Sequence, residues 1–180
     1  LKVAAGNFSL FVYEIVLSFS QLAEQRNINL VYDGKDDGIH LWYDRFWMEK
    51  VLFNLLSNAF KNTPDHGKIE IISQIKNSNY ILSVRDSGSG IPEDQMEAIF
   101  EPFHQVRNRE NYSNGTGIGL SLVKGIIELH RGIVRAENNP QEGACFTVCL
   151  PLGRTHFSDN QIIEDYKSSE EISQYTFIED

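Results

Sequence analysis

Three short segments occur in a fixed order along the chain and leave few folds open to it. They are Asn54-Leu55-Leu56-Ser57-Asn58-Ala59-Phe60-Lys61, then Asp86-Ser87-Gly88-Ser89-Gly90-Ile91, then Gly115-Thr116-Gly117-Ile118-Gly119-Leu120. The first lies in the run Phe46 to Lys61, where Met48, Val51, Leu52, Leu55, Leu56 and Ala59 recur with the three-and-four spacing of a helix that buries one face. Asn54, Asn58 and Lys61 fall at i, i+4 and i+7 of that helix, a polar stripe within about 60° around the axis. An amide oxygen is a hard ligand suited to Mg²⁺, and a lysine ammonium neutralises phosphate as a point charge. Taken alone, the stripe reads equally well as a solvated helix face.

The second segment follows Tyr80-Ile81-Leu82-Ser83-Val84, a β-branched and aromatic run that predicts a strand ending at Asp86. A carboxylate accepts hydrogen bonds, so it suits the exocyclic amine of adenine, and Gly88 and Gly90 let the chain turn with no side chain against a base. The same residue types also make an ordinary turn. The third segment opens a helix predicted to run to about His130, with Leu122, Ile126 and Leu129 on its apolar face and Gly132 as its stop. Glycines at 115, 117 and 119 expose backbone N–H groups at a helix N-terminus, an anion site. Their spacing is not that of the dinucleotide fingerprint, and no Gly-Lys-Ser/Thr phosphate loop occurs. Together the segments provide metal and phosphate ligands, a base-reading carboxylate and bare backbone for a phosphate tail.

In these residues the chain resembles the ATP-binding catalytic domain of sensor histidine kinases, a branch of the superfamily that also holds DNA gyrase, the heat-shock chaperone ATPase and MutL. Asn54 to Lys61 is similar to the N box and Asp86 to Ile91 to the G1 box. Phe100-Glu101-Pro102-Phe103 is similar to the F box and Gly115 to Leu120 to the G2 box. The resemblance spans about residues 1–152. It implies ATP and Mg²⁺ as cofactors, with Asn58 as the metal ligand, Asn54 and Lys61 on phosphates, and Asp86 on adenine. Gly88, Gly90 and Ile91, then Gly115, Thr116, Gly117, Ile118, Gly119 and Leu120, would line the nucleotide. Thr147 is a further candidate for the adenine side. Residues from about 103 to 115 would form a lid, in which Arg107 or Arg109 could clamp the γ-phosphate.

One position separates the branches chemically. The gyrase and chaperone members carry a glutamate one helical turn before the metal-binding asparagine, where it activates water, and here that residue is Asn54. An amide has no useful basicity at pH 7, so the γ-phosphate is expected to be kept for a protein nucleophile. By resemblance, that nucleophile is a histidine on a two-helix dimerisation domain ahead of this chain. His104 has no acidic residue after it and reads as a lid residue, while His40, His66, His130 and His156 have no metal-like spacing. Asn62 departs from the pattern, since the residue after the lysine is commonly aromatic and packs near adenine. Two alternatives remain: an ATPase module of the chaperone or topoisomerase branch, and a nucleotide-binding pseudokinase that acts as an interaction module.

The expected fold is α+β, a two-layer α/β sandwich with a mixed five-stranded sheet and three main helices on one face. A short first strand precedes a helix over about 9–26, strands over 28–33 and 39–43, and the asparagine helix. Strands over 68–76 and 80–86, a short helix over 93–99, the glycine-led helix and strands over 133–137 and 144–150 follow. With 180 residues and 41% hydrophobic composition, one core is expected. Residues 153–180 carry seven acidic and two basic residues, a net of −5 within the chain's −9, and read as an acidic linker or tail. It could lead to a receiver domain of a response regulator, as in hybrid two-component systems, or be a plain terminus. The acidic balance argues against nucleic-acid binding. No apolar run of membrane length and no signal-peptide pattern occurs, so the fragment is expected to be cytoplasmic and free of direct membrane contact, its parent an inner-membrane sensor. Cys145 and Cys149 lie on one predicted strand, too far apart to bridge, and are expected to be free thiols.

Overall fold

A computed structural model describes residues 1–34, 40–104, 117–139 and 142–164. Gly115, Thr116 and the lid residues Gln105, Arg107 and Arg109 lie outside the described residues, as does the stretch 165–180. Five strands make one mixed sheet: β2 (Asn29–Gly34), β4 (Lys68–Lys76), β5 (Asn79–Asp86), β6 (Ile133–Asn138) and β7 (Ala144–Pro151), in the order β2-β4-β5-β7-β6. Only the β2–β4 pair is parallel. The expected first strand, β1 (Ala4–Asn7), does not join this sheet but pairs antiparallel with β3 (His40–Tyr43) in a separate ribbon.

The helices are α1 (Phe8–Ser18), α2 (Ser20–Gln25), α3 (Arg45–Asn62) and α4 (Gly119–Leu129). Asp44 starts α3 by accepting from Trp47 N at 3.3 Å, relieving one of the unpaired N–H groups of a first turn. All six apolar positions predicted for this helix are buried, and they share one core with Ile69, Ile71, Leu82, Val84, Phe146 and Val148 of the sheet. The opposite face of the sheet is more polar, carrying the Lys68–Glu70 ion pair and Arg85. There Cys145 and Cys149 are free thiols.

The single helix expected over 9–26 is broken at Phe19. Ser18 and Ser20 turn their hydroxyls back to the carbonyls of Ile15 and Leu17, at 2.6 and 2.8 Å, offering the backbone a competing partner. The turn drops the buried Phe19 ring onto Phe60, 5.3 Å away. The helix expected over 93–99 is two 3₁₀ turns, Glu93–Gln95 and Ala98–Phe100, since so short a run does not nucleate an α-helix on its own.

On α4 the buried residues are Val123, Ile126 and Ile127, whereas Leu129 of the predicted face is exposed. Nor does Gly132 take the left-handed position at its end. Arg131 does, with φ 60°, and Gly132 N closes the turn on Ile127 O at 2.9 Å. Gly132 is needed for a different reason: a Cβ there would stand 2.5 Å from Cys149 O.

Within the stretch expected as a linker or tail, residues 154–164 fold back onto the domain. Phe157 is buried edge-on to His130, and Ile162 bridges in parallel to Val3. Val3 N donates to Gln161 O at 2.7 Å, and Ile163 N donates to Val3 O at 2.9 Å. The ordered unit therefore runs past residue 152 to at least Ile163.

His130 ties this strap to the core. Its Nδ1–H donates to Ile126 O at 2.8 Å, and its Nε2 accepts from Asp44 N at 3.0 Å. Burial is the chief reason its pKa is lowered. A proton on Nε2 would set two donors face to face, so the folded state holds the ring neutral. An unfolded histidine takes up its proton near pH 6.5. This contribution to stability is therefore complete above about that pH and is lost as pH falls toward the lower folded value. Thermal melts from pH 7.5 to 5 should show the melting temperature falling, with a smaller fall in His130→Gln, whose side-chain oxygen can still accept from Asp44 N.

Candidate functional site

The C-terminal half of α3 is the piece that joins the three sequence segments. Asn54 donates its Nδ2 to Lys50 O at 2.7 Å, one turn back, which turns its Oδ1 outward. That oxygen lies 2.5 Å from where a Cβ on Gly119 would stand, so only glycine lets the start of α4 come this close. Two turns further along, the Asn62 carbonyl packs so tightly on Gly88 that a Cβ there would overlap it. Asn58 sits between these two contacts, one turn from each, and is half-buried. The α4 N-terminus and the turn after β5 are thus brought to either end of a single amide-bearing stripe. Lys61 is exposed on that stripe, with no partner among the described residues.

At one end, the first N–H groups of α4 have no intrahelical acceptor, and Ile118 at the N-cap supplies no side-chain cap. Unsatisfied donors and the helix dipole favour an anion here. Gly117, with φ 69°, accepts from Phe103 N at 2.9 Å and lies against the backbone of His104. This contact seats the Phe100–Phe103 segment beside the helix start. Ile118 is exposed and Leu120 half-buried.

At the other end, Asp86 is 4% exposed at the close of β5. Its Oδ1 accepts from Gly88 N at 2.9 Å and from Ala144 N at 3.3 Å. Desolvation raises its pKa, and the two N–H donors oppose that rise. Oδ2 has no protein donor among the described residues, so an acceptor remains for a ligand amine. Ile91 is buried just beyond, and Gly90 holds φ 72°.

The β6–β7 turn braces this end, which the sequence reading did not anticipate. Asn138 grips Ile91 from both sides, accepting from its N at 2.7 Å and donating to its O at 2.8 Å. Asn139 donates to Asp86 O and to Ala144 O, both at 3.2 Å. Gly143, at φ 90°, lies against the Asp86 carbonyl with no room for a Cβ. The visible sequence signal was the pair Asn138-Asn139 followed by a glycine directly before a strand.

Thr147 does not join the group. It pairs in register with Ser83 and shares a 3.1 Å hydroxyl contact with it, on the sheet face away from the helices. Asp86 faces the other way, on the side of Val84 and Leu82. Strand alternation thus takes Thr147 out of the site, and the backbone N–H of Ala144 stands beside Asp86 instead.

The described residues contain no group of three His, Cys, Asp or Glu able to cage a metal. The oxygen donors on the stripe are the amides of Asn54 and Asn58. A hard cation held by one protein oxygen, with phosphate and water completing its shell, fits this donor set. No described helix is long and apolar enough to cross a membrane.

The family described as histidine kinase-, DNA gyrase B- and HSP90-like ATPase matches residues 43–154. The chain belongs to that ATPase family. Within it, the chain is similar to proteins named as histidine kinases. Histidine kinase P4 of Formosa agariphila is 40% identical over 179 residues, covering 97% of this chain and 13% of its own length. The alginate biosynthesis sensor protein KinB of Pseudomonas aeruginosa is 36% identical, covering 74% of this chain and 22% of its own. The chain therefore spans only a small part of these relatives. Among solved structures, the catalytic domain of histidine kinase ThkA superposes with a TM-score of 0.76 at 30% identity, over 84% of this chain and 99% of that one. ThkA in complex with the response regulator TrrA superposes with a TM-score of 0.74 at 28% identity, over 86% of this chain and 43% of that one. The ATPase-family fold seen here is that of the catalytic, ATP-binding domain of sensor histidine kinases.

Proposed function

We propose that this domain binds Mg-ATP and presents its γ-phosphoryl group to a histidine on a dimerisation domain of the same parent, within a two-component relay that ends on a response-regulator receiver domain. The observation that carries the proposal is Asn54, one turn before Asn58 and turned toward the α4 N-terminus. The stripe that would face the phosphates offers amides and a lysine but no carboxylate to activate water. In the transfer, the bond from the γ-phosphorus to the bridging oxygen breaks and a bond to an imidazole nitrogen forms, with ADP as leaving group. Positioning and charge neutralisation dominate such reactions.

Asp86 Oδ2 would accept from the adenine amine. The free N–H groups of α4, Asn54 and the Lys61 ammonium would hold the phosphates, and Asn58 Oδ1 would hold the metal. Magnesium, when bound, supplies charge neutralisation on phosphate oxygens. Likeness to ThkA, whose structure is known in complex with the response regulator TrrA, supports a receiver-domain partner.

Calorimetry with a non-hydrolysable ATP analogue should show binding that strengthens with Mg²⁺. Asn58→Ala should lose most of that strengthening, about tenfold or more for a lost charge-assisted contact. Steady-state ATP hydrolysis by the 180-residue chain should be negligible. Rapid turnover would assign the domain to water-activating chemistry instead.

A further inference from the structure

The polar stripe of α3 does not end at Lys61. Asn62, exposed at the last helical position, donates Nδ2 into the turn before it, to Asn58 O at 2.8 Å and to Asn58 Oδ1 at 3.2 Å. The second contact falls on the oxygen that the functional reading gives to the metal. An asparagine amide is nearly symmetric in shape, and a half-turn about χ2 would present its NH₂ to a cation. A donor fixed at one end selects the orientation, and the carbonyl oxygen keeps a second lone pair for a ligand. The donor is itself held in place, because the Asn62 main chain abuts Gly88, whose N–H is bonded to Asp86.

We propose that Asn62 is a positioning residue for the divalent cation, holding the Asn58 amide with its oxygen set for the metal before nucleotide arrives. The proposal rests on the Mg-ATP reading and deepens it. A phenylalanine at this position would offer a face for the base but no donor for the Asn58 oxygen. This chain thus exchanges a stacking surface for a preset metal ligand.

Asn62→Ala should weaken binding of a non-hydrolysable ATP analogue by about two- to tenfold in the presence of Mg²⁺, the worth of one exposed hydrogen bond. In EDTA the affinity should not change. Asn62→Leu, of similar size and without a donor, should behave the same way, and both variants should melt with the wild type. In an Asn58→Ala background, Asn62→Ala should have no further effect, because the group it orients is gone. Equal losses with and without Mg²⁺, or additive losses in the double variant, would overturn the inference and leave the functional reading intact. A wild-type chain that binds no nucleotide even with Mg²⁺ would remove both.

Discussion

Asp86→Asn is expected to weaken nucleotide binding roughly a hundredfold or more while leaving the free domain as stable as the wild type or more so. The two halves of this result have the same cause. Asp86 is buried with its pKa raised chiefly by desolvation, so the fold holds its ionised form less readily than water does. A group with a raised folded pKa adds stability that is complete below the unfolded value, near pH 3.9, and is lost as pH rises through the folded pKa. Once the carboxyl is ionised in the folded state that contribution is absent. An amide keeps Oδ1 for Gly88 N and Ala144 N, so both bonds survive while the buried charge does not.

Binding responds in the opposite sense. Asparagine would turn an NH₂ toward the adenine amine, setting donor against donor where a carboxylate oxygen stood. Losing a charge-assisted bond and leaving a buried donor unpaired together amount to about 3 kcal/mol or more, roughly a hundredfold in affinity. Calorimetry and thermal melts on the same variant at pH 7 test both halves. Wild-type affinity in the variant would remove Asp86 from base recognition. A large drop in melting temperature with binding retained would make the carboxylate structural.

What the sequence revealed depended on how local each determinant was. The α3 face was legible because a long uninterrupted helix repeats its apolar positions enough times to fix the phase, and Met48, Val51, Leu52, Leu55, Leu56 and Ala59 are buried as expected. The α4 face was not, because Leu122, Val123, Ile126, Ile127 and Leu129 give it apolar residues on two flanks. Packing chose Val123 and Ile127 over Leu129. Asn54, Asn58 and Asp86 could be singled out because their chemistry lies in residue type and spacing. Asn138 and Asn139 brace the site by gripping backbone 47 and 53 residues away, a distance that no local pattern encodes. Thr147 failed for a related reason: which face a strand residue takes depends on its register with neighbours, here Ser83, which a single sequence does not display.

The same non-local logic governs the strap of residues 154–164, and Phe157→Ala is expected to be among the most destabilising single changes in the domain. In an acidic stretch without periodicity, Phe157 and Ile162 carry no local signal, yet each has a partner far back in the chain. Removing a buried phenylalanine side chain costs about 3–5 kcal/mol, and ending the chain after Leu152 should cost at least as much, because it also deletes the bonds to Val3. Urea denaturation of both variants measures the loss, and a change under about 1 kcal/mol in each would return the segment to the status of a tail. The Phe157 variant also carries an internal control. If the ring helps keep water from His130, its removal lets the imidazole titrate closer to its ordinary value. The acid-dependent fall in melting temperature should then become shallower in Phe157→Ala, whereas an effect confined to lost packing would lower the melting temperature equally at every pH.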